Sequence, residues 1–159
     1  MGLVVHCVNH NFELALLDMK KEDAYLQEFE EIVKTLFKIY HWSPKLSREL
    51  QKLALLFEEE FEKFAALKNM RWSSSSFRAM HKLKNTYTNV SRHLEALAAS
   101  NHKHSDTAKG ILPKFRSVKF VKYLHFMVDF LKPCKTLTKL FQREKVLNTE
   151  IPSAIDRCL

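Results

Sequence analysis

Apolar side chains recur along most of this chain at every third or fourth residue, which is the spacing of one face of an α-helix. A first helix is expected over 11–21, with Asn11 as its N-cap, and a second from Asp23 to about His41. Ser43-Pro44 predicts a third, because Ser accepts free amide hydrogens of the first turn and Pro has no amide hydrogen to leave unpaired.

The helical periodicity stops at 69–76, where the sequence reads NMRWSSSS. Serine hydroxyls compete for backbone hydrogen bonds, so this segment predicts a loop, and Ser76 is expected to cap one long helix that reaches Leu97. The remaining periodic segments are a short amphipathic turn over 106–112, an apolar helix over 118–131 that Pro133 should end or kink, and a helix over 136–146.

One segment departs from the helical pattern. Residues 3–5, Leu-Val-Val, are consistent with a short buried strand, and no second convincing strand follows it. The predicted fold class is therefore mainly α, a multi-helix bundle with one orphan strand at its N-terminus.

Composition agrees with a single helical domain. The chain has 159 residues, 46% of them hydrophobic, and only 2 glycines, whereas β-rich folds need glycine at their turns. The 26 Lys and Arg residues outnumber the 18 Asp and Glu residues, which gives a net charge of +8. That charge suits nucleic acid, an acidic protein or an anionic membrane surface, and does not choose among them.

Cysteine usage and the N-terminus indicate an intracellular protein that does not span a membrane. Cys7, Cys134 and Cys158 are odd in number and widely spaced, unlike the cysteines of a secreted disulfide scaffold. The start MGLVVHC lacks the basic segment of a signal peptide. No apolar run approaches the roughly 18 residues that a membrane span requires.

Few side chains are arranged for chemistry. Cys7 and His10 have the spacing of half a zinc site, but the other ligands of a structural site are missing, so neither a metal nor a cofactor is expected. The alternative is a packed turn with a buried Cys7. Asp129, inside the apolar run HFMVDFL, should need a cationic or backbone partner. No phosphate-binding loop or Ser/His/Asp set is present.

The pair Arg71-Trp72 lies in the predicted serine-rich loop. A loop tryptophan beside an arginine can stack on an unpaired base while the guanidinium holds a phosphate. The alternative is a tryptophan folded back onto the helices beside a solvated arginine.

Three segments occur in an order that resembles the hAT family of DDE transposases. They are HCVNHNFELALLD, MRWSSSSFRAMHKLKNTYTNVSRHLEALA and KFVKYLHFMVDFLKPCKTLTKLFQRE, and the resemblance runs from about Val5 to Ile151. The residues that carry it are Cys7, His10, Arg71, Trp72, Asn85, Tyr87, Val90, His93, Leu94, Phe141 and Gln142.

The resemblance implies a division of the chain. Residues 1–22 correspond to the end of an RNase H-like core, a strand plus a helix, and residues 23–159 to the helical insertion of these transposases, the two forming effectively one compact unit. It also implies that Trp72 stacked on a displaced base in an ancestral enzyme, and that the protein is nuclear. A DNA-contacting set is expected from His10, Arg71, Trp72, Arg78 and Lys82.

The departures from the family imply an inactive protein. The family's two catalytic aspartates precede the Cys-x-x-His motif, but the six residues before Cys7 include no acid, and no glutamate near Leu159 matches the third carboxylate. Without these carboxylates two metal ions cannot be clamped for phosphoryl transfer.

Two functions therefore stand as hypotheses. One is a transposase-like remnant that binds DNA weakly and with little sequence preference. The other is a helical protein-interaction module that binds a protein partner, or itself, through exposed apolar faces and binds no nucleic acid.

Overall fold

A computed structural model of the chain describes residues 8–56, 67, 72–141 and 156. These residues contain seven α-helices and no strand, so the prediction of a mainly α, multi-helix bundle is confirmed. The predicted strand at 3–5 lies outside the described residues. The helices are α1 (Val8–Glu22), α2 (Ala24–His41), α3 (Pro44–Leu56), α4 (Trp72–Asn85), α5 (Tyr87–Ala98), α6 (Ser105–Phe115) and α7 (Val118–Phe141).

Two boundaries follow directly from capping residues. The Asp23 carboxylate accepts a hydrogen bond from the Leu26 backbone N–H at 2.9 Å, as expected of an N-cap. Its second oxygen accepts the Tyr123 hydroxyl at 2.6 Å, so this cap also joins α2 to α7. The predicted end of α2 at His41 and the start of α3 at Pro44 are confirmed.

The core lies where α2, α4 and α7 converge. The most extensive helix pairing is between α4 and α7, and α5 packs on both α3 and α6. Phe29 of α2 and Phe120 of α7 are completely buried, with ring centroids 4.7 Å apart. Helix α1 ends at the predicted division between residues 22 and 23. It contacts α2, α4 and α7, which all follow that division. Within the described part of the chain, none of the helices is long and apolar enough to cross a membrane.

The loop predicted at 69–76 is wrong for its described part. Residues 73–76 form the first turns of α4, and Ser73, Ser75 and Ser76 are buried. Two of these serines are tolerated because their hydroxyls find partners: the Ser73 hydroxyl donates to the Glu13 carboxylate, and the Ser75 hydroxyl donates to the Trp72 carbonyl. Ser76 is an interior residue of α4 and not its cap.

The single long helix predicted after Ser76 is two helices, separated at Thr86. The Thr86 hydroxyl donates to the Lys82 carbonyl at 2.9 Å, and the Val90 backbone N–H donates to the Thr86 carbonyl at 3.0 Å. These bonds end α4 and begin α5 at the same residue. The two apolar faces can therefore point in different directions, with α4 on α7 and α5 on α6.

Three further boundaries differ from the pattern. Helix α1 begins at Val8, so Asn11 is an interior residue and not a cap. Helix α6 continues past Pro113 to Phe115, and α7 runs through Pro133 to Phe141. Leu131 and Cys134, on both sides of Pro133, are buried, and their packing favours one continuous helix over the break that proline prefers. Asp129 is exposed on α7, so the buried partner expected for it is not needed.

Candidate nucleic-acid interface

Trp72 is the first residue of α4, and its side chain is buried. It is 1% exposed, and its indole N–H donates to the Glu30 carboxylate at 2.6 Å. Glu30 is also buried, and its carboxylate forms an ion pair with the Lys20 ammonium at 2.7 Å. A ring held in this way presents no face to a displaced base. The arrangement corresponds to the alternative interpretation, in which Trp72 folds back onto the helices. Arg71, the other residue of the predicted pair, lies outside the described residues.

A second buried carboxylate holds the same end of α4. Glu13 of α1 accepts the Ser73 backbone N–H at 3.2 Å and the Ser73 hydroxyl at 2.5 Å. It also accepts the Thr138 hydroxyl of α7 at 3.2 Å. A carboxylate at the N-terminus of a helix pairs with the positive end of the helix dipole. Glu13 therefore joins three helices at this point and satisfies a free amide of α4.

The half zinc site is only partly within the described residues. His10 is exposed on α1, and Cys7 lies outside them. Among the residues whose placement is known, no three His, Cys, Asp or Glu side chains cluster so that they could hold a metal ion. His10 lies on α1, whereas Arg78 and Lys82 lie on α4.

Positive side chains converge where α4 packs on α7. Arg78 and Lys139 both lie close enough to Lys135 to affect its charge: partial burial lowers the pKa of the Lys135 ammonium, and repulsion from these two cations lowers it further. The Lys135 ammonium lies 4.4 Å from the centroid of the Phe77 ring, a favourable cation–π distance. We call Arg78, Lys135 and Lys139 the basic seam.

The charge around the basic seam is strongly one-sided. Helices α4 and α7 together carry eight Lys or Arg residues and one acid, Asp129. Several cations elsewhere are paired with carboxylates, as Lys114 is with Glu28 and Arg116 is with Glu95, both at 2.7 Å. Surface ion pairs neutralise their neighbours and leave little field at a distance. Helices α4 and α7 therefore carry eight positive charges and one negative charge, the largest excess of positive charge in any packed pair of described helices.

Two of the five DNA-contacting residues expected from the sequence lie on this face. Arg78 is exposed, and Lys82 is half-buried one turn further along α4. Sequence reasoning missed Lys135 and Lys139, although their spacing of four residues places both on one side of a helix. Their spacing was not linked to the preceding basic residues, because the helix break expected at Pro133 separated Lys135 and Lys139 from the rest of α7.

A buried histidine forms a separate polar site between α2, α3 and α5. His93 is 8% exposed, its Nδ1 lies 3.0 Å from the Tyr40 hydroxyl, and its Nε2 lies 3.5 Å from the Glu49 carboxylate. Burial raises the pKa of Tyr40, so its hydroxyl stays protonated and shares a hydrogen bond with Nδ1. A half-open cavity of about 380 Å³ adjoins this site.

Comparison with known proteins does not assign the chain to a family. No family model matches its sequence. No solved structure matches the fold.

Proposed function

We propose that this chain is a catalytically inactive, hAT transposase-like remnant that binds nucleic acid weakly, with little sequence preference, through the α4–α7 face. The ordered resemblance supports the ancestry and a nuclear location. The observation that carries the binding proposal is the convergence of Arg78, Lys135 and Lys139 on two packed helices that together contain a single acid. Cations that neutralise phosphates release counterions, which provides most of the affinity of non-specific binding.

The experiment removes the basic seam and compares the result with a control variant of the same net charge. One variant carries Arg78→Gln, Lys135→Gln and Lys139→Gln. Its matched control carries Lys38→Gln, Arg48→Gln and Lys52→Gln, which removes three exposed cations of α2 and α3. Both variants lose three charges, so a difference between them reports the position of the charge and not its amount.

We expect the seam variant to bind a duplex of about 20 base pairs at least tenfold more weakly at roughly 50 mM salt, measured by fluorescence anisotropy. Three lost phosphate contacts should reduce the slope of log K against log salt by about 2.7. The control should keep the slope of the unmodified protein. Equal losses in the two variants, or no binding by the unmodified protein at low salt, would contradict the proposal.

The same preparation tests the absence of catalysis. With Mg²⁺ or Mn²⁺ and supercoiled plasmid we expect no nicked circles, because we match none of the 159 residues to the three carboxylates with which the resembled family clamps metal. Metal-dependent nicking that follows the protein through purification would overturn this part of the proposal.

Exposed apolar side chains favour the second candidate, a protein-interaction module. Trp42 is 73% exposed, Val118 is 69% exposed and Phe126 is 57% exposed. Exposed aromatic residues are typical of protein interfaces. This function would gain support if the chain bound no nucleic acid at low salt but self-associated in analytical ultracentrifugation, with association abolished by Trp42→Ala or Phe126→Ala.

A further inference from the structure

Helix α7 carries an exposed row of aromatic rings beside its basic residues. Phe126 lies between Tyr123 and Phe130, with ring centroids 5.8 Å and 6.0 Å away, and the Phe126 and Phe130 rings are within 16° of parallel. Phe126 is 57% exposed, and its two neighbours are half-buried. We call Tyr123, Phe126 and Phe130 the aromatic edge.

Cations flank the aromatic edge on the same helix. Lys122 precedes Phe126 by four residues, so the two side chains are neighbours on one side of α7. Lys119 lies one turn earlier, with its ammonium 3.7 Å from the centroid of the Tyr25 ring, and Tyr25 contacts Tyr123 edge to face at 4.8 Å. Lys132, Lys135 and Lys139 lie further along α7 and on the side away from Phe126, and Asp129 is the one acid of this helix.

Other aromatic residues fit a base-stacking role less well. Trp72 is buried and bonded to Glu30, and the face of Phe77 carries the Lys135 ammonium. Trp42 is exposed, but it lies between α2 and α3, which together carry five Lys or Arg residues and four Glu residues. Phe126 combines exposure with a place on the most basic helix of the described chain.

We propose that the aromatic edge stacks on unpaired bases, with Phe126 as the main platform, so that the side of α7 that carries Lys119 and Lys122 prefers single-stranded nucleic acid. This inference rests on the proposed function and adds the form of the ligand. Every base has a π-face that an aromatic side chain can cover, but in a duplex those faces are already stacked on neighbouring bases. Phosphates of the same strand are held by the lysines of α7, without readout of base edges.

The test compares oligo(dT) of about 20 nucleotides with a duplex of the same length for the full chain and its variants. Phe126→Ala should weaken oligo(dT) binding roughly fivefold to twentyfold and change duplex binding less than about twofold. Phe126→Leu should lose as much as Phe126→Ala, because it keeps an apolar side chain and removes the ring. Phe126→Tyr should keep the affinity of the unmodified protein. Trp42→Ala is the matched control, since it removes a more exposed aromatic side chain elsewhere.

The outcomes separate this inference from the proposed function. If the unmodified chain binds both nucleic acids and Phe126→Leu binds oligo(dT) normally, stacking is overturned and binding through the basic seam stands. If Trp42→Ala causes the loss instead, the platform is wrongly assigned. If the unmodified chain binds neither nucleic acid at low salt, both the proposed function and this inference are overturned.

Discussion

Single buried residues decide how the N-terminal end of α4 is held. The Trp72 indole fills the space beside α2 and supplies a hydrogen-bond donor to the buried Glu30. A carboxylate in this position is tolerated because Trp72 and Lys20 both contact it at 2.6–2.7 Å. The tryptophan is therefore a structural residue of this fold.

Replacing Trp72 tests this structural role. Trp72→Phe removes the N–H donor and leaves an unfilled volume, so we expect the free energy of unfolding in urea to fall by about 2–4 kcal/mol. Trp42→Phe is the matched control, because Trp42 is 73% exposed, and should change stability by less than about 0.5 kcal/mol. Similar losses at the two positions would show that Trp72 is not buried against Glu30.

Among the elements, α7 is continuous despite a proline in its interior. Pro133 lacks an N–H to bond the Asp129 carbonyl, and its ring crowds that carbonyl. The helix persists because Leu131, Cys134 and Thr138 are buried on both sides of the proline. The continuity places Lys135 and Lys139, two residues of the basic seam, on the same helix as the aromatic edge.

A substitution at Pro133 measures the cost of this arrangement. Pro133→Ala should stabilise the protein by about 1–2 kcal/mol, because the gain of roughly 3 kcal/mol in helix propensity exceeds the added entropy of the unfolded chain. Pro113→Ala, three residues from the start of the turn that follows α6, should have a smaller effect. A thermal melt of each variant checks this. Destabilisation by Pro133→Ala would mean that α7 depends on a proline kink.

For the molecule as a whole, His93 links stability to pH. Burial lowers the pKa of His93, and the partly opposing influence of Glu49 raises it. The unfolded chain therefore binds a proton at a higher pH than the folded chain. The stability contributed by neutral His93 is present above the ordinary histidine pKa of 6.5 and is lost as pH falls below it.

We expect the free energy of unfolding to decrease between about pH 7 and pH 5, and His93→Gln to flatten this decrease. The groups facing His93 are Tyr40, Glu49 and Lys45, with His102 across the cavity. His125→Gln is the control, because His125 is exposed on α7. A decrease that is just as steep in His93→Gln as in the unmodified protein would assign the pH dependence to other groups.

The boundaries that sequence predicted well are those set by neighbouring residues. Asp23 caps α2 through an amide three residues away, and the break between α2 and α3 lies at Ser43-Pro44. The errors occurred where residues distant in the sequence decide whether a residue is helical or buried. Ser73 is helical and buried because Glu13, 60 residues earlier, bonds it, and Trp72 is buried because Glu30, 42 residues earlier, accepts its N–H. The conformational preferences of neighbouring residues contain no information about partners so far away in the sequence.

The candidate interface was predictable in part for the same reason. Arg78 and Lys82 could be placed on one helix face from their spacing of four residues. That Lys135 and Lys139 join Arg78 depends on the packing of α4 against α7, which no local pattern contains. The exposure of Phe126, in a run that is otherwise strongly apolar, likewise depends on which side of α7 the other helices cover.

The bond between Glu13 and Thr138 has a consequence for the synthesis of the protein. The two residues are 125 positions apart, so the carboxylate of α1 cannot reach its last partner until nearly all of the described chain has left the ribosome. At about 5–20 residues per second, this interval is roughly 6–25 seconds. During that time α1 can pack on α2 and α4, but its contacts with α7 form only after that helix has been made.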